Sequence, residues 1–179
     1  MTPQDVLNFW FKELTPNQHF EKNEKLDQDI KERFSEIHKA IVAGETYTWR
    51  DTIHGRLAEI IVLDQFSRNM YRGEKEAFAY DSLALILAEE AIRQPDIDEL
   101  TTQEKAFLYM PYMHSESDLI HQQAEVLFSE PGLETYLDFE NRHYEIIKRF
   151  GRYPHRNNIL GRQSTPDEIA FLKEPNSSF

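Results

Sequence analysis

Apolar residues recur along this chain at three- and four-residue spacing, with charged positions between them. Between about Asn23 and Ala43 the stripe is Leu26, Ile30, Phe34, Ile37 and Ile41, and Gly44 follows where a helix C-cap belongs. Thr2-Pro3-Gln4-Asp5 offers an N-cap, a proline at the first helical position and a first-turn acid, so a helix starts there. Near its start the cluster Phe9-Trp10-Phe11 is placed to anchor that helix to the core. A third helix is predicted over roughly Ile53 to Arg68, where Leu57, Ile60, Ile61 and Leu63 make it more apolar than its neighbours and hence central. Glu74 to Gln94 reads as a long helix opened by Gly73 and ended by Pro95. Thr101 or Thr102 caps a helix through about Met110, which Pro111 closes or kinks. Asp118 to Phe128 and Leu133 to Phe150 come next, the latter with Gly151 as its C-cap. Thr165-Pro166-Asp167-Glu168 is a capping box that starts a terminal helix.

No segment alternates apolar and polar residues between turn pairs, so strands are not expected. Seven to eight helices joined by short loops define an all-α fold of packed antiparallel pairs, read as a single domain over residues 1–179. Periodicity alone leaves bundle and solenoid equal, because no 34-residue self-similarity carries the tetratricopeptide signature.

Composition narrows the function. The chain has 20 Lys plus Arg, 32 Asp plus Glu and no Cys, giving a formal charge of −12. Such a surface repels phosphate backbones and anionic lipid, so neither nucleic acid nor a membrane surface is an expected partner. Zero cysteines remove disulfides, thiolate metal sites and a cysteine nucleophile. The longest apolar run, Leu83 to Ala88, falls far short of the roughly 20 residues a membrane helix needs. Met1 to Phe11 lacks the basic region and cleavage site of a signal peptide, and a cytoplasmic location is the expectation.

The charge is unevenly spread. From Arg142 to Arg162 six Lys or Arg face one acid, Glu145, a local net of +5 that leaves −17 for the rest of the −12 chain. The heart of this window is the loop Gly151-Arg152-Tyr153-Pro154-His155-Arg156-Asn157-Asn158. Guanidinium forks suit carboxylate or phosphate, and histidine adds a donor or acceptor near neutral pH. The plainer alternative is that these arginines pair internal carboxylates or cap helix carbonyls. A second polar group ends the third helix: Asp64, Arg68, Asn69 and Arg72, with Asp64 and Arg68 one turn apart. If the two segments meet, Arg68, Arg72, Arg152 and Arg156 converge with Asp64 as orienter; otherwise Asn69 caps its helix and Arg72 solvates the end. The third group, His114-Ser115-Glu116 with His121 and Glu125 beyond, sits at a helix corner. His114 and Glu116 suit acid–base work, whereas Glu116, Ser117 and Asp118 equally suit helix capping. The spacing matches no established metal pattern, so no metal site is assigned. Phosphate-binding glycine loops and the G-x-S-x-G nucleophile turn are absent, and no cofactor is named by the sequence.

Leu63-Asp64-Gln65-Phe66 with Arg68-Asn69, His114-Ser115-Glu116, Arg149-Phe150-Gly151-Arg152 with Pro154-His155-Arg156-Asn157, and Leu160-Gly161-Arg162 form an ordered set. Together with Ser164-Thr165-Pro166 and Phe171-Leu172 they resemble the bacterial domain of unknown function 924 family (DUF924) along essentially the whole chain. Ser67 stands where that family usually has proline, and Tyr153 where phenylalanine is common. The resemblance implies a tetratricopeptide-like helical fold and no particular activity. Its motifs coincide with the polar corners singled out above.

Three functions are expected candidates. The first is binding of an anionic small molecule or terminal carboxylate, held by Arg68, Arg152 and Arg156 with His155 and Asn157 orienting it, and Asn69, Arg72 and Arg162 nearby. The second is an enzyme acting on a phosphoryl or acyl ester, with His114 or His155 as acid–base and Asp64 or Glu116 as orienter. It requires His114, Glu116, Arg68 and Arg156 to surround one pocket. The third is a peptide-binding helical scaffold.

Overall fold

The computed structural model describes residues 1–179, all helix and connecting turn with no strand. The α-helices are α1 (Pro3–Asn8), α2 (Glu24–Val42), α3 (Ile53–Ile61), α4 (Ser67–Met70), α5 (Asp81–Ile92), α6 (Thr102–Met113), α7 (Asp118–Phe128), α8 (Glu134–Phe150), α9 (Asn157–Leu160) and α10 (Pro166–Phe171). No helix is long and apolar enough to cross a membrane.

The apolar stripes are buried as their spacing requires. Leu26, Ile30, Phe34 and Ile41 of α2 face the core, and Asn23 caps the helix by accepting from the Leu26 amide. Capping boxes close around Thr2, Thr101 and Thr165. Phe9 and Trp10 are buried, with Phe9 packed on Phe34 and Phe66 and Trp10 on Phe66 and Phe107. Helix α3 is the central element: it packs against α1, α5 and α6, and nearly every side chain in it is buried. A smaller cluster of Tyr144, Ile146, Ile147, Tyr153 and Phe171 joins the end of α8 to the C-terminal segments.

Gly55 shows how tightly α3 is seated. A Cβ added there would lie 1.8 Å from the carbonyl oxygen of Trp49, backbone that cannot rotate away. A Gly55→Ala variant will therefore unfold about 1–3 kcal/mol more easily by chemical denaturation, the usual range for overpacking. An unchanged midpoint would contradict this seating.

Three predicted elements differ from the expectation. The helix foreseen from Ile53 to Arg68 is continuous, but Val62–Phe66 winds as a π-turn between α3 and α4. Such a turn adds one residue and rotates the helix beyond it, which is how Asp64, Gln65 and Arg68 reach one side. The helix foreseen from Glu74 starts only at Asp81; Gly73 has φ +83°, Glu74 is extended, and Lys75–Ala77 forms a 3₁₀ turn. That break leaves Asp81 in a first turn, where a carboxylate complements the helix dipole. Pro111 does not close α6, which runs on to Met113. Proline removes one helical hydrogen bond at a cost of about 3 kcal/mol. Burial of every residue from Ala106 to Met113 offsets it.

Candidate functional site

Asp64 lies in the π-turn with its carboxylate fully buried. Its Oδ1 accepts from His114 Nδ1 at 2.7 Å and its Oδ2 from Gln65 Nε2 at 2.7 Å. Arg68, one turn on, donates through Nη1 to the Asp64 carbonyl at 2.8 Å and lies 3.4 Å from the Asp64 carboxylate. The same guanidinium clamps Asp81 with two bonds, 2.9 and 3.0 Å. Burial works to raise the Asp64 pKa, but His114 and Arg68 on either side, with the Gln65 bond, outweigh it and hold the carboxyl below its ordinary value. An ionised carboxylate only accepts, so His114 must donate from Nδ1. Nε2 is then the unprotonated nitrogen of the neutral ring, and no protein group bonds it. Burial and the Arg68 charge lower the His114 pKa more than Asp64 raises it, so the imidazole is neutral at pH 7.

Arg156 arrives from the segment before α9. It is 4% exposed, lies over the rings of Phe78 and Tyr153, and donates through Nη2 to the His114 carbonyl at 2.9 Å. Its Nη1 stands 3.5 Å from Asp81 and 3.8 Å from Glu116, and its buried Nε–H has no partner. Glu116 is gripped by Arg162 through two bonds, 2.9 and 3.0 Å, and accepts from the Tyr153 amide at 2.6 Å. Burial opposes ionisation of Glu116, while Arg162, the Tyr153 amide and Arg156 overcome it and lower its pKa.

Two cavities open on this cluster. The larger, about 470 Å³, is walled by aromatic and methionine side chains: Phe20, Phe78, Met110, Met113, Phe139 and Phe179. Arg68, His114 and Arg156 stand at its polar side, with His143 and His155 nearby. The smaller, about 300 Å³, is lined by Lys75, Asp81, Ser82, Ser115 and Glu116. Phe78, His114 and Arg156 line both and so form the wall between them. His143 and His155 flank the ring of Phe179, with centroids 3.9 and 4.5 Å away. Burial pushes both imidazoles down to about 3; for His155 the nearby Arg156 and Arg68 charges add to it. They are neutral aromatic surfaces at pH 7.

The polar corners of the sequence thus meet in part. His114 and Arg156 line both cavities, Arg68 and His155 only the larger and Glu116 only the smaller, with Asp64 behind His114. The single pocket expected for His114, Glu116, Arg68 and Arg156 is therefore split in two. Asn69 and Arg72 also line the larger one, but both are bonded to Asp27 of α2, and Asn69 does not cap its helix. Arg152 stands apart: it clamps Glu168 with Nε and Nη2 and bonds the Gln163 carbonyl. Asn157 bonds Ser164 and Glu168, and Arg162 is held by Asn157 and Glu116; none of these three lines either cavity. His121 does not face Glu125 but is buried against Glu140 and the Ser115 carbonyl, which fixes the loop after His114.

The expected cationic corner is also largely neutralised. Arg142 pairs with Asp138, Lys148 with Glu145, Arg149 with Glu174, Arg152 with Glu168, and Arg162 with Glu116. Arg149 and Arg156 are held loosely, by carboxylates beyond hydrogen-bond length, and of the two only Arg156 is buried. Two contributors, Asp81 and Phe78, are hidden in the sequence inside the helix predicted from Glu74; His143 falls in the basic window but has no role assigned to it there.

Fold and site together define an all-helical protein whose cavities meet at a buried carboxylate–imidazole pair beside an arginine. The chain belongs to the family described as bacterial protein of unknown function (DUF924), whose model matches residues 6–176. It is similar to the solved structure of a protein of unknown function, ATU0120 from Agrobacterium tumefaciens, with 36% identity, 96% of each chain covered and a TM-score of 0.90. No curated protein matches the chain.

Proposed function

We propose that this protein binds a small molecule with an apolar, aromatic-sized body and an anionic oxygen head. The body lies in the larger cavity against Phe20, Met110, Met113 and Phe139, and the head meets Arg156. The observation that carries this reading is Arg156. A buried guanidinium N–H without a partner costs free energy, and Arg156, which carries one, lines a cavity whose wall is mostly apolar in area. A carboxylate oxygen in the cavity would take a charge-assisted bond from the guanidinium, whose Nη1 stands 3.5 and 3.8 Å from its nearest carboxylates. The volume falls within the range typical of small-molecule sites, which are mostly apolar with a few convergent polar groups. The arginines held by Glu168 and Glu116 have no part in it. Phosphate alone fits less well, because most of the basic window is already paired and the wall is apolar.

Phenylacetate, acetate and inorganic phosphate at fixed ionic strength separate these possibilities. Phenylacetate at about 100 times its Kd will stabilise the protein by about 2.7 kcal/mol, a rise of roughly 5–10 °C in melting temperature. Acetate and phosphate will give much smaller shifts, and an Arg156→Met variant will lose the phenylacetate shift. Equal stabilisation of the variant, or none of the wild type by phenylacetate, sinks the proposal.

A further inference from the structure

We infer that His114 is the general base of a hydrolase whose substrate is an ester, with its apolar acyl half in the larger cavity and its small hydroxylated alcohol half in the smaller one. This rests on the binding proposed above and assigns chemistry to the same site. Three observations carry it.

First, His114 lines both cavities, so its imidazole borders whatever occupies either one. The two compartments differ in degree: Phe20, Met113 and Phe139 make the larger mostly apolar, whereas the smaller mixes Lys75, Ser82 and Glu116 with Leu85, Pro111 and Leu160. A molecule with an apolar half and a polar half is the one both would accept, and its central bond then lies beside His114. Second, Asp64 fixes the imidazole. The buried carboxylate accepts Nδ1–H at 2.7 Å, orients the ring and leaves the Nε2 lone pair to act. When Nε2 takes a proton, the negative charge of Asp64 faces the imidazolium. Third, Arg156 is tied to the backbone of the same residue, its Nη2 on the His114 carbonyl at 2.9 Å. A positive charge is thereby held next to the base, where an oxyanion needs it.

The step balances with water alone. Nε2 removes a proton from water as the water oxygen bonds the ester carbonyl carbon, and charge develops on the carbonyl oxygen, which Arg156 stabilises. The tetrahedral adduct collapses, the carbon–oxygen bond to the alcohol breaks, and the imidazolium returns its proton to the alcohol oxygen. The acid leaves as its carboxylate, with its proton passed to solvent, and that carboxylate is the kind of ligand the binding reading assigns to Arg156. No nucleophilic hydroxyl is needed, and none is bonded to His114: Ser115 Oγ instead accepts from the Ser117 amide. His155 cannot take the role, because its buried Nδ1 has no partner and no carboxylate orients it. Asp64 is a positioning residue in this scheme, acting through His114.

Phenylacetate esters of glycerol, glycolate and serine test the inference, with released phenylacetate followed by chromatography and phenylacetate binding measured in parallel. Turnover is expected for at least one ester. His114→Gln will lower its rate by about 10²–10⁴-fold, the usual worth of acid–base catalysis, while still binding phenylacetate. Asp64→Asn, which keeps the side-chain shape, will lower kcat with KM nearly unchanged. Phenylacetate binding without turnover of any of the three esters, or with turnover that survives His114→Gln, overturns the inference and leaves the binding reading standing. Failure of phenylacetate to bind at all removes both.

Discussion

An Asp64→Ala variant will be less stable than the wild type by about 3–5 kcal/mol, the penalty for removing one partner of a buried ion pair. In a protein of this size that is roughly 10 °C in melting temperature. The size of the effect reflects the number of groups Asp64 holds. Its two oxygens take the His114 Nδ1–H and a Gln65 amide N–H, and its charge stands 3.4 Å from the Arg68 guanidinium. Alanine strands two donors, leaves Arg68 with Asp81 as its remaining carboxylate, and opens space beside a well-packed turn. Asp64→Asn will lose less, because the amide oxygen still accepts from His114. The decisive measurement is a double-mutant cycle with Arg68→Met, read by denaturant unfolding. The coupling is expected to be favourable and above about 1 kcal/mol. A loss below about 1 kcal/mol for Asp64→Ala would mean that solvent reaches the site and the pair carries little.

The same pair shows why such an arrangement is more than architecture. A hydrophobic pair of equal volume in the π-turn and at the α6 corner would pack at least as well, since buried ion pairs often cost about as much as they return. What the charged pair adds is an imidazole of fixed tautomer in the wall between two cavities. Its neighbours point the same way. Arg68 and Arg156 share Asp81 of α5, and His121 of α7 fixes the Ser115 carbonyl, so the groups next to His114 are anchored from two further helices.

Much of this was legible in the sequence. Helix placement could be read from the spacing of Leu26, Ile30, Phe34 and Ile41 and from the Thr165–Glu168 capping box, because local propensity and burial agree at those positions. Asp64, Arg68, His114 and Arg156 stood out as polar residues at helix ends, and the structure brings those four together. What could not be read is long-range. That Arg152 would take Glu168 rather than face the cavity depends on where α10 folds back, and the +5 window gave no sign of its carboxylate partners in α8, α10 and the loops. Asp81 was concealed by a helix start set by Gly73 and a 3₁₀ turn, and the π-turn by an uninterrupted apolar run. Pro111 misled because its local penalty is real but smaller than the burial around it.

Acidification will destabilise this protein well before Asp64 and Glu116 titrate. His143 and His155 are held neutral in the cavity wall with pKa values of about 3, whereas in the unfolded chain they titrate near 6.5. Between those limits the unfolded state binds protons that the folded state refuses, so stability falls as pH falls. Each such group contributes about 1.36 kcal/mol per pH unit. Lowering the pH from 6.5 to 4.5 will thus cost about 5 kcal/mol from this pair, comparable to the whole stability of many domains. The sign is the same further down, because Asp64 and Glu116, whose pKa values are lowered by folding, lose their stabilising charge only as pH drops through those lowered values. Urea midpoints at pH 7.0, 5.5 and 4.5 will show the slope. His155→Phe keeps a ring against Phe179 and Tyr153 while removing one titration, and His143→Gln retains a donor for the Phe139 carbonyl while removing the other. Each will flatten the pH dependence by roughly half of the pair's share, and the double variant will lose that share, leaving the part due to His19, His38 and His114, whose pKa values burial also lowers. A double variant as acid-sensitive as the wild type would show that both rings are protonated in the folded cavity, which would then be wetter and more polar than its aromatic lining implies.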